Sequence, residues 1–115
     1  MKILVTGGRN YDDSQHVNKV LADAVKHYGK DKVCIIQGGA KGADLLAKNW
    51  AFSNGICCIT IEAQWNIYDK KAGSLRNRWM IEFCNPDIVI AFKGGSGTSH
   101  MKSIAGLAEI TVYEV

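Results

Sequence analysis

The chain has 115 residues, 47% apolar and 22% charged, with a net charge of +3. That length and balance describe one ordinary water-soluble domain over residues 1–115, and exclude low-complexity, collagenous and disulfide-stapled chains. The charge is only mildly basic, so it gives no argument for nucleic acid and suits a small anionic ligand.

No apolar run reaches membrane-span length, and no charged segment leads into a signal-like apolar stretch, so a cytoplasmic protein away from membranes is expected. Cys34, Cys57, Cys58 and Cys84 lie in apolar runs without a CxxC pair. They read as reduced, buried thiols, with no metal site.

Lys2–Thr6 is a short Ile/Val-rich run without helical spacing, as expected of a strand buried on both faces. It leads into a first glycine cluster, Thr6-Gly7-Gly8-Arg9, and then Tyr11, Asp12 and Asp13. Val17, Val20, Leu21, Ala24, Val25 and Tyr28 then recur at the spacing of one helical stripe. Asp13 or Ser14 can cap this helix and Gly29 can end it. A second strand over 33–37 runs into Gly38-Gly39-Ala40-Lys41-Gly42. The next helix, over about 43–54, is predicted to bury Ala43, Leu46, Ala47, Trp50 and Ala51 and to close at Gly55. A third strand over 56–61 precedes the segment Glu62-Ala63-Gln64-Trp65-Asn66-Ile67-Tyr68. A helix over about 72–84 is predicted to bury Leu75, Trp79, Met80 and Phe83, and Pro86 stops it. The fourth strand, 87–92, leads into Gly94-Gly95-Ser96-Gly97-Thr98, a helix over about 98–105 and a last strand over 110–115.

Strand and helix alternate throughout, which predicts a Rossmann-like α/β three-layer sandwich: a mostly parallel five-stranded sheet with helices on both faces. Each glycine cluster follows a strand and precedes a helix, so all of them fall on the carboxyl edge of the sheet, where open α/β folds bind ligands. Glycine permits close backbone approach, and each helix start offers unpaired N–H groups with a positive dipole end. Phosphate is the natural occupant. Thr6, Arg9, Lys41, Ser96 and Thr98 add donors. Neither a G-x-G-x-x-G fingerprint nor a Walker A loop is present, which gives no support to NAD-linked redox chemistry or motor ATPase activity.

Other candidates face the same edge. Trp65 or Tyr68 can stack on a base, and Tyr11 can line the pocket. With Leu75 and Trp79 pointing to the core, Arg76 and Asn77 reach the pocket rim, where arginine suits phosphate. Asp44 either complements the dipole of its helix or accepts from a ribose hydroxyl. His100 is an acid/base or donor candidate. The candidate catalytic set is Asp44, His100 and Arg76; no cofactor is expected.

The segments Ile3-Leu4-Val5-Thr6-Gly7-Gly8-Arg9-Asn10-Tyr11-Asp12, Gln37-Gly38-Gly39-Ala40-Lys41-Gly42-Ala43-Asp44, Ala72-Gly73-Ser74-Leu75-Arg76-Asn77 and Ala91-Phe92-Lys93-Gly94-Gly95-Ser96-Gly97-Thr98 together resemble the YspA-type, cpYpsA-related branch of the SLOG superfamily. The resemblance implies a Rossmann-like domain that binds nucleotides or their derivatives, and relatives commonly pair, so a homo-oligomer is expected. The superfamily also holds phosphoribohydrolases that cleave N-glycosidic bonds, DNA-processing proteins, and sensors of signalling nucleotides. The phosphoribohydrolases carry a proline before the double glycine and a glutamate after the Gly-Thr pair. Here Lys93 and Met101 hold those positions, and His100 stands where the YspA-type pattern usually has an acid.

Three functions are therefore in view. The first is a binding protein that senses or sequesters a nucleotide-derived molecule. The second is a nucleotide N-glycosidase lacking the usual glutamate. The third is a DNA-binding module, against which the modest charge weighs.

Overall fold

Five short strand segments satisfy their backbone groups by pairing with one another, and the central three bury both faces under helices while the outer two stay largely exposed. The computed structural model, which describes residues 1–115, shows that solution. Its order is β1 (Lys2–Thr6), α1 (Ser14–Tyr28), β2 (Cys34–Gln37), α2 (Ala43–Ser53), β3 (Cys57–Thr60), α3 (Trp65–Tyr68), α4 (Ala72–Cys84), β4 (Ile88–Ala91), α5 (Ser96–Leu107) and β5 (Thr111–Glu114). The strands lie in the order β3-β2-β1-β4-β5. All neighbours are parallel, with Leu4 beside Ile36 on one side and Val89 on the other. The direction of winding reverses between β1 and β4.

Alternation along the strands divides the core in two. Ile3, Val5, Ile35, Ile90 and Phe92 meet Val17 and Leu21 of α1 and Ala43, Ala47 and Ala51 of α2. Leu4, Ile36 and Val89 meet Met80 and Ile81 of α4 and Met101 and Ala105 of α5. The α1 cap resolves to Asp13, whose carboxylate accepts from the His16 N–H at 3.0 Å, and the Gly29 N–H closes the helix on the Val25 carbonyl. Gly55, at φ +65°, follows α2 in the left-handed region where glycine pays no Cβ penalty. No helix is long and apolar enough to cross a membrane.

Four expectations need correction. Phe83 is 77% exposed, and Leu75 and Trp79 are only half-buried. The stripe that α4 buries is Ala72, Arg76, Asn77, Met80 and Ile81. It is rotated by one residue from the apolar reading because it carries two polar side chains inward. Trp79 instead meets Tyr68 edge to face at 5.9 Å. Second, Leu46 and Trp50 are half-buried, since α2 presents its small alanines to the sheet. Third, 62–68 contains the short helix α3, followed by a 3-10 turn at Asp69–Lys71, and α5 starts earlier than expected, at Ser96. Fourth, the cysteines are free but none is fully buried: Cys34, Cys58 and Cys84 are half-buried. Cys57 is exposed on the edge strand β3, and its sulfur lies 2.7 Å from that of Cys34.

Candidate functional site

A cleft of about 650 Å³ opens at the carboxyl ends of β1 and β4, where the winding reverses. Its floor is made by three loops held together through their glycines. A Cβ on Gly7 would collide with the Ala43 Cβ, and one on Gly8 would sit 3.1 Å from the Gly94 Cα. A Cβ on Gly94 would collide with the Thr98 hydroxyl. Gly42, at φ +80°, leaves no room beside the Gly8 carbonyl. Hydrogen bonds complete the lock: the Gly8 N–H donates to the Lys93 carbonyl at 2.9 Å, and the Ala43 N–H donates to the Gly8 carbonyl at 3.2 Å.

Gly95 and Gly97 behave differently. Neither has a positive φ, and a Cβ on either would meet nothing within 4 Å. Both line the cleft at the start of α5, beside Ser96 and Thr98. No side chain caps that helix, and its first backbone bond runs from the Ser99 N–H to the Gly95 carbonyl. The N–H groups of Ser96, Gly97 and Thr98 thus have no partner within the helix and carry its positive end.

The α2 loop is already supplied with an anion. Asp44, in the first turn of α2, is 7% exposed, and its Oδ2 accepts from the N–H groups of Gly38 at 3.1 Å and Ala40 at 3.3 Å. Gln37 braces the same loop by accepting from the Gly39 N–H at 2.6 Å and donating to the Thr60 hydroxyl at 2.5 Å. Burial pushes the Asp44 carboxyl above its ordinary range, opposed by the Ala40 N–H, the charge of Arg76 and the Gly38 N–H. Burial likewise pulls the Arg76 guanidinium below its ordinary value, opposed by Asp44.

Arg76 is buried rather than placed on the rim. Its Nη1 donates to the Gly38 carbonyl at 2.6 Å, and its Nε donates to Asn77 Oδ1 at 3.1 Å. Asn77 extends the chain to the Gly97 carbonyl at 3.3 Å and to His100 Nδ1 at 3.2 Å. The Arg9 guanidinium carbon lies 5.2 Å from the Trp65 ring centre. Gly73 lets that ring approach, since a Cβ there would come within 3.3 Å of it.

Of the residues singled out from sequence, Thr6, Gly7, Gly8, Arg9, Ala40, Asp44, Trp65, Arg76, Asn77, Gly95, Ser96, Gly97, Thr98 and His100 all line this cleft. Gly38, Gly39 and Lys41 border an adjoining hollow of about 570 Å³ together with Glu62. Gly94 is engaged with Gly8 and Thr98. Tyr11 packs on Phe92 with ring centres 5.3 Å apart instead of lining the cleft. Tyr68 turns to Trp79. Sequence reasoning missed Lys70, Gly73 and Ser74, which complete the wall. The signal was the basic pair Lys70-Lys71 running directly into the small residues Ala72-Gly73-Ser74.

Met101, at the position where the phosphoribohydrolases carry glutamate, is fully buried in the core. No carboxylate reaches the cleft from that position.

Comparison with known proteins agrees with this architecture. The chain is 34% identical to the Gene 61 protein of Mycobacterium phage D29, over 96% of its own length and 93% of that protein's. Its fold matches the X-ray structure of DNA processing protein A (DprA) from Streptococcus pneumoniae with a TM-score of 0.72 at 19% identity. That match covers 98% of this chain and 49% of DprA, so the chain spans about half the length of that structure. Residues 1–68 match the family described as YspA, cpYpsA-related SLOG. With the first and second glycine loops, Asp44 and Trp65 all inside the matched region, the chain belongs to the YspA, cpYpsA-related SLOG family.

Proposed function

We propose that the cleft binds a phosphate-bearing nucleotide or nucleotide derivative, which the protein senses or sequesters. The observation that carries this reading is the start of α5. Gly97, inside the first turn, has neither a packing neighbour nor a positive φ to justify it, and it lies among uncapped N–H groups in the cleft wall. Glycine inside a helix costs about 1 kcal/mol relative to alanine, and a ligand approaching the backbone is what that cost leaves room for. Phosphate sits at this helix start. Asp44 Oδ1, free of the loop contacts made by Oδ2, accepts a hydroxyl of the sugar, and the Arg9–Trp65 pair forms a wall for the base. The cleft volume lies within the roughly 300–1,000 Å³ usual for small-ligand sites.

The test is to incubate purified protein with NAD, ADP-ribose, mononucleotides and cyclic nucleotides, record the melting temperature, and identify what heat releases. An intact compound that also raises the melting temperature supports the reading; a panel that never does so at saturation rejects it.

A second reading, cleavage of a nucleotide N-glycosidic bond, is favoured by one observation: Asp44 is a cleft carboxyl whose proton affinity is raised by burial. Catalytic base release that disappears in Asp44→Asn would establish it. DNA binding draws only on the fold likeness to DprA, and steeply salt-dependent capture of single strands would be needed to revive it.

A further inference from the structure

Asn77 sits between groups whose hydrogen-bonding directions are fixed by their chemistry. The Nε of arginine can only donate, so the Asn77 atom 3.1 Å from it must be the amide oxygen. A backbone carbonyl can only accept, so the Asn77 atom 3.3 Å from the Gly97 oxygen must be the amide nitrogen. These two constraints come from different elements and agree on one orientation of the amide. In that orientation the same NH2 group faces His100 Nδ1 at 3.2 Å. A ring nitrogen facing an N–H must accept, so Nδ1 is bare and the ring proton resides on Nε2.

We infer that Asn77, oriented by Arg76, is a positioning residue that holds neutral His100 as the Nε2–H tautomer. His100 therefore enters the cleft as a hydrogen-bond donor, and the ligand atom it serves is an acceptor such as a phosphate oxygen or an unprotonated ring nitrogen. This deepens the ligand-binding reading and rests on it only for the identity of that acceptor. His100 lines the same cleft as Ser96, Gly97 and Thr98, whose N–H groups have no partner within their helix. In the alternative hydrolytic reading the same tautomer makes neutral His100 a hydrogen-bond donor toward the departing base rather than a base toward water.

The experiment is a long-range proton–nitrogen spectrum of the histidine rings in the ligand-free protein, at about pH 8.5 where ordinary imidazoles are neutral. His100→Gln assigns the His100 signals against those of His16 and His27. The expected result is an Nε2–H ring for His100, with a nitrogen–nitrogen coupling across the hydrogen bond from Asn77 Nδ2 to His100 Nδ1. In Asn77→Asp the new carboxylate accepts instead of donating, and the His100 proton moves to Nδ1. A wild-type His100 with averaged tautomers or an Nδ1–H overturns the inference, as does an Nε2–H that persists in a folded Asn77→Asp. Because the coupling is read in wild-type protein, the result stands even if the variant fails to fold. Because no ligand is added, a negative result here is distinct from failure of the nucleotide panel.

Discussion

Replacing Gly97 with alanine separates the ligand's requirements from those of the fold. The residue lies in the first turn of α5, without a positive φ and without a neighbour within 4 Å of an added Cβ. For the empty protein the change is therefore a pure gain in helix propensity, about 0.5–1 kcal/mol. Unfolding entropy of about 2.1 cal/mol/K per residue converts this, for 115 residues, to a rise of about 2–4 °C in melting temperature. In the complex the methyl group occupies the space beside the α5 N–H groups and costs about one charge-assisted hydrogen bond, 1.5–3 kcal/mol, or at least tenfold in affinity. Thermal melts read both effects. A nucleotide present at 100 times its dissociation constant stabilises wild type by about 2.7 kcal/mol, and a tenfold loss of affinity cuts this to about 1.4 kcal/mol. The ligand-induced shift should thus fall by half while the ligand-free melting temperature rises. Gly106→Ala is the control, since Gly106 lies at the far end of the same helix with nothing near an added Cβ. It should stabilise without touching the ligand shift. If Gly97→Ala leaves that shift unchanged, the open space is not the ligand's and the phosphate placement is wrong.

Other consequences can be checked with equally simple measurements. Burial raises the Asp44 carboxyl above its ordinary value of 3.8, so the folded chain holds that proton at pH values where the unfolded chain has lost it. Stability contributed by the neutral carboxyl is then present below 3.8 and lost as pH rises through the raised value. Melts of wild type and Asp44→Asn across the acidic range should diverge over that window, and parallel curves would remove the burial argument. Gly7→Ala should destabilise by about 1–3 kcal/mol through overpacking against the Ala43 methyl, and Ala43→Gly in the same chain should recover much of the loss in a denaturant titration. The Cys34 thiol is pushed up to about 12 by burial and by the neighbouring Cys57. Alkylation at mildly alkaline pH followed by peptide mapping should leave Cys34 unmodified until the chain is unfolded.

Much of the molecule was readable from the residues. The three central strands were legible because burial on both faces turns each into an apolar run, as in Lys2–Thr6, whereas the edge strands β3 and β5 are largely exposed. The glycine loops announced the edge of the sheet that carries the cleft. What the sequence concealed was the difference among those glycines. Gly7 and Gly95 look alike in a string, yet one is pressed against the Ala43 methyl and the other faces open space. The buried face of α4 was misread because Arg76 and Asn77 are satisfied internally, by the Gly38 carbonyl and by each other, which no apolar periodicity can signal. The four-residue α3 is too short to show a helical period, so the placement of Trp65 depended on tertiary contact.

The interlocked glycines divide the cleft into parts with different freedom to change. The floor is backbone packed on backbone, where even one added methyl displaces a neighbouring loop. The opposite wall, from Trp65 through Ser74, is made of side chains on short helical turns at the surface, and Lys70 and Trp65 are both exposed there. Under the proposed nucleotide-binding reading, exchanges in that wall would alter which base or sugar is accepted while the helix start proposed for phosphate stays fixed. A library restricted to Trp65, Lys70 and Ser74, which leaves the buried Ala72 and the tightly approached Gly73 untouched, would thus retune selectivity without first having to rescue the fold.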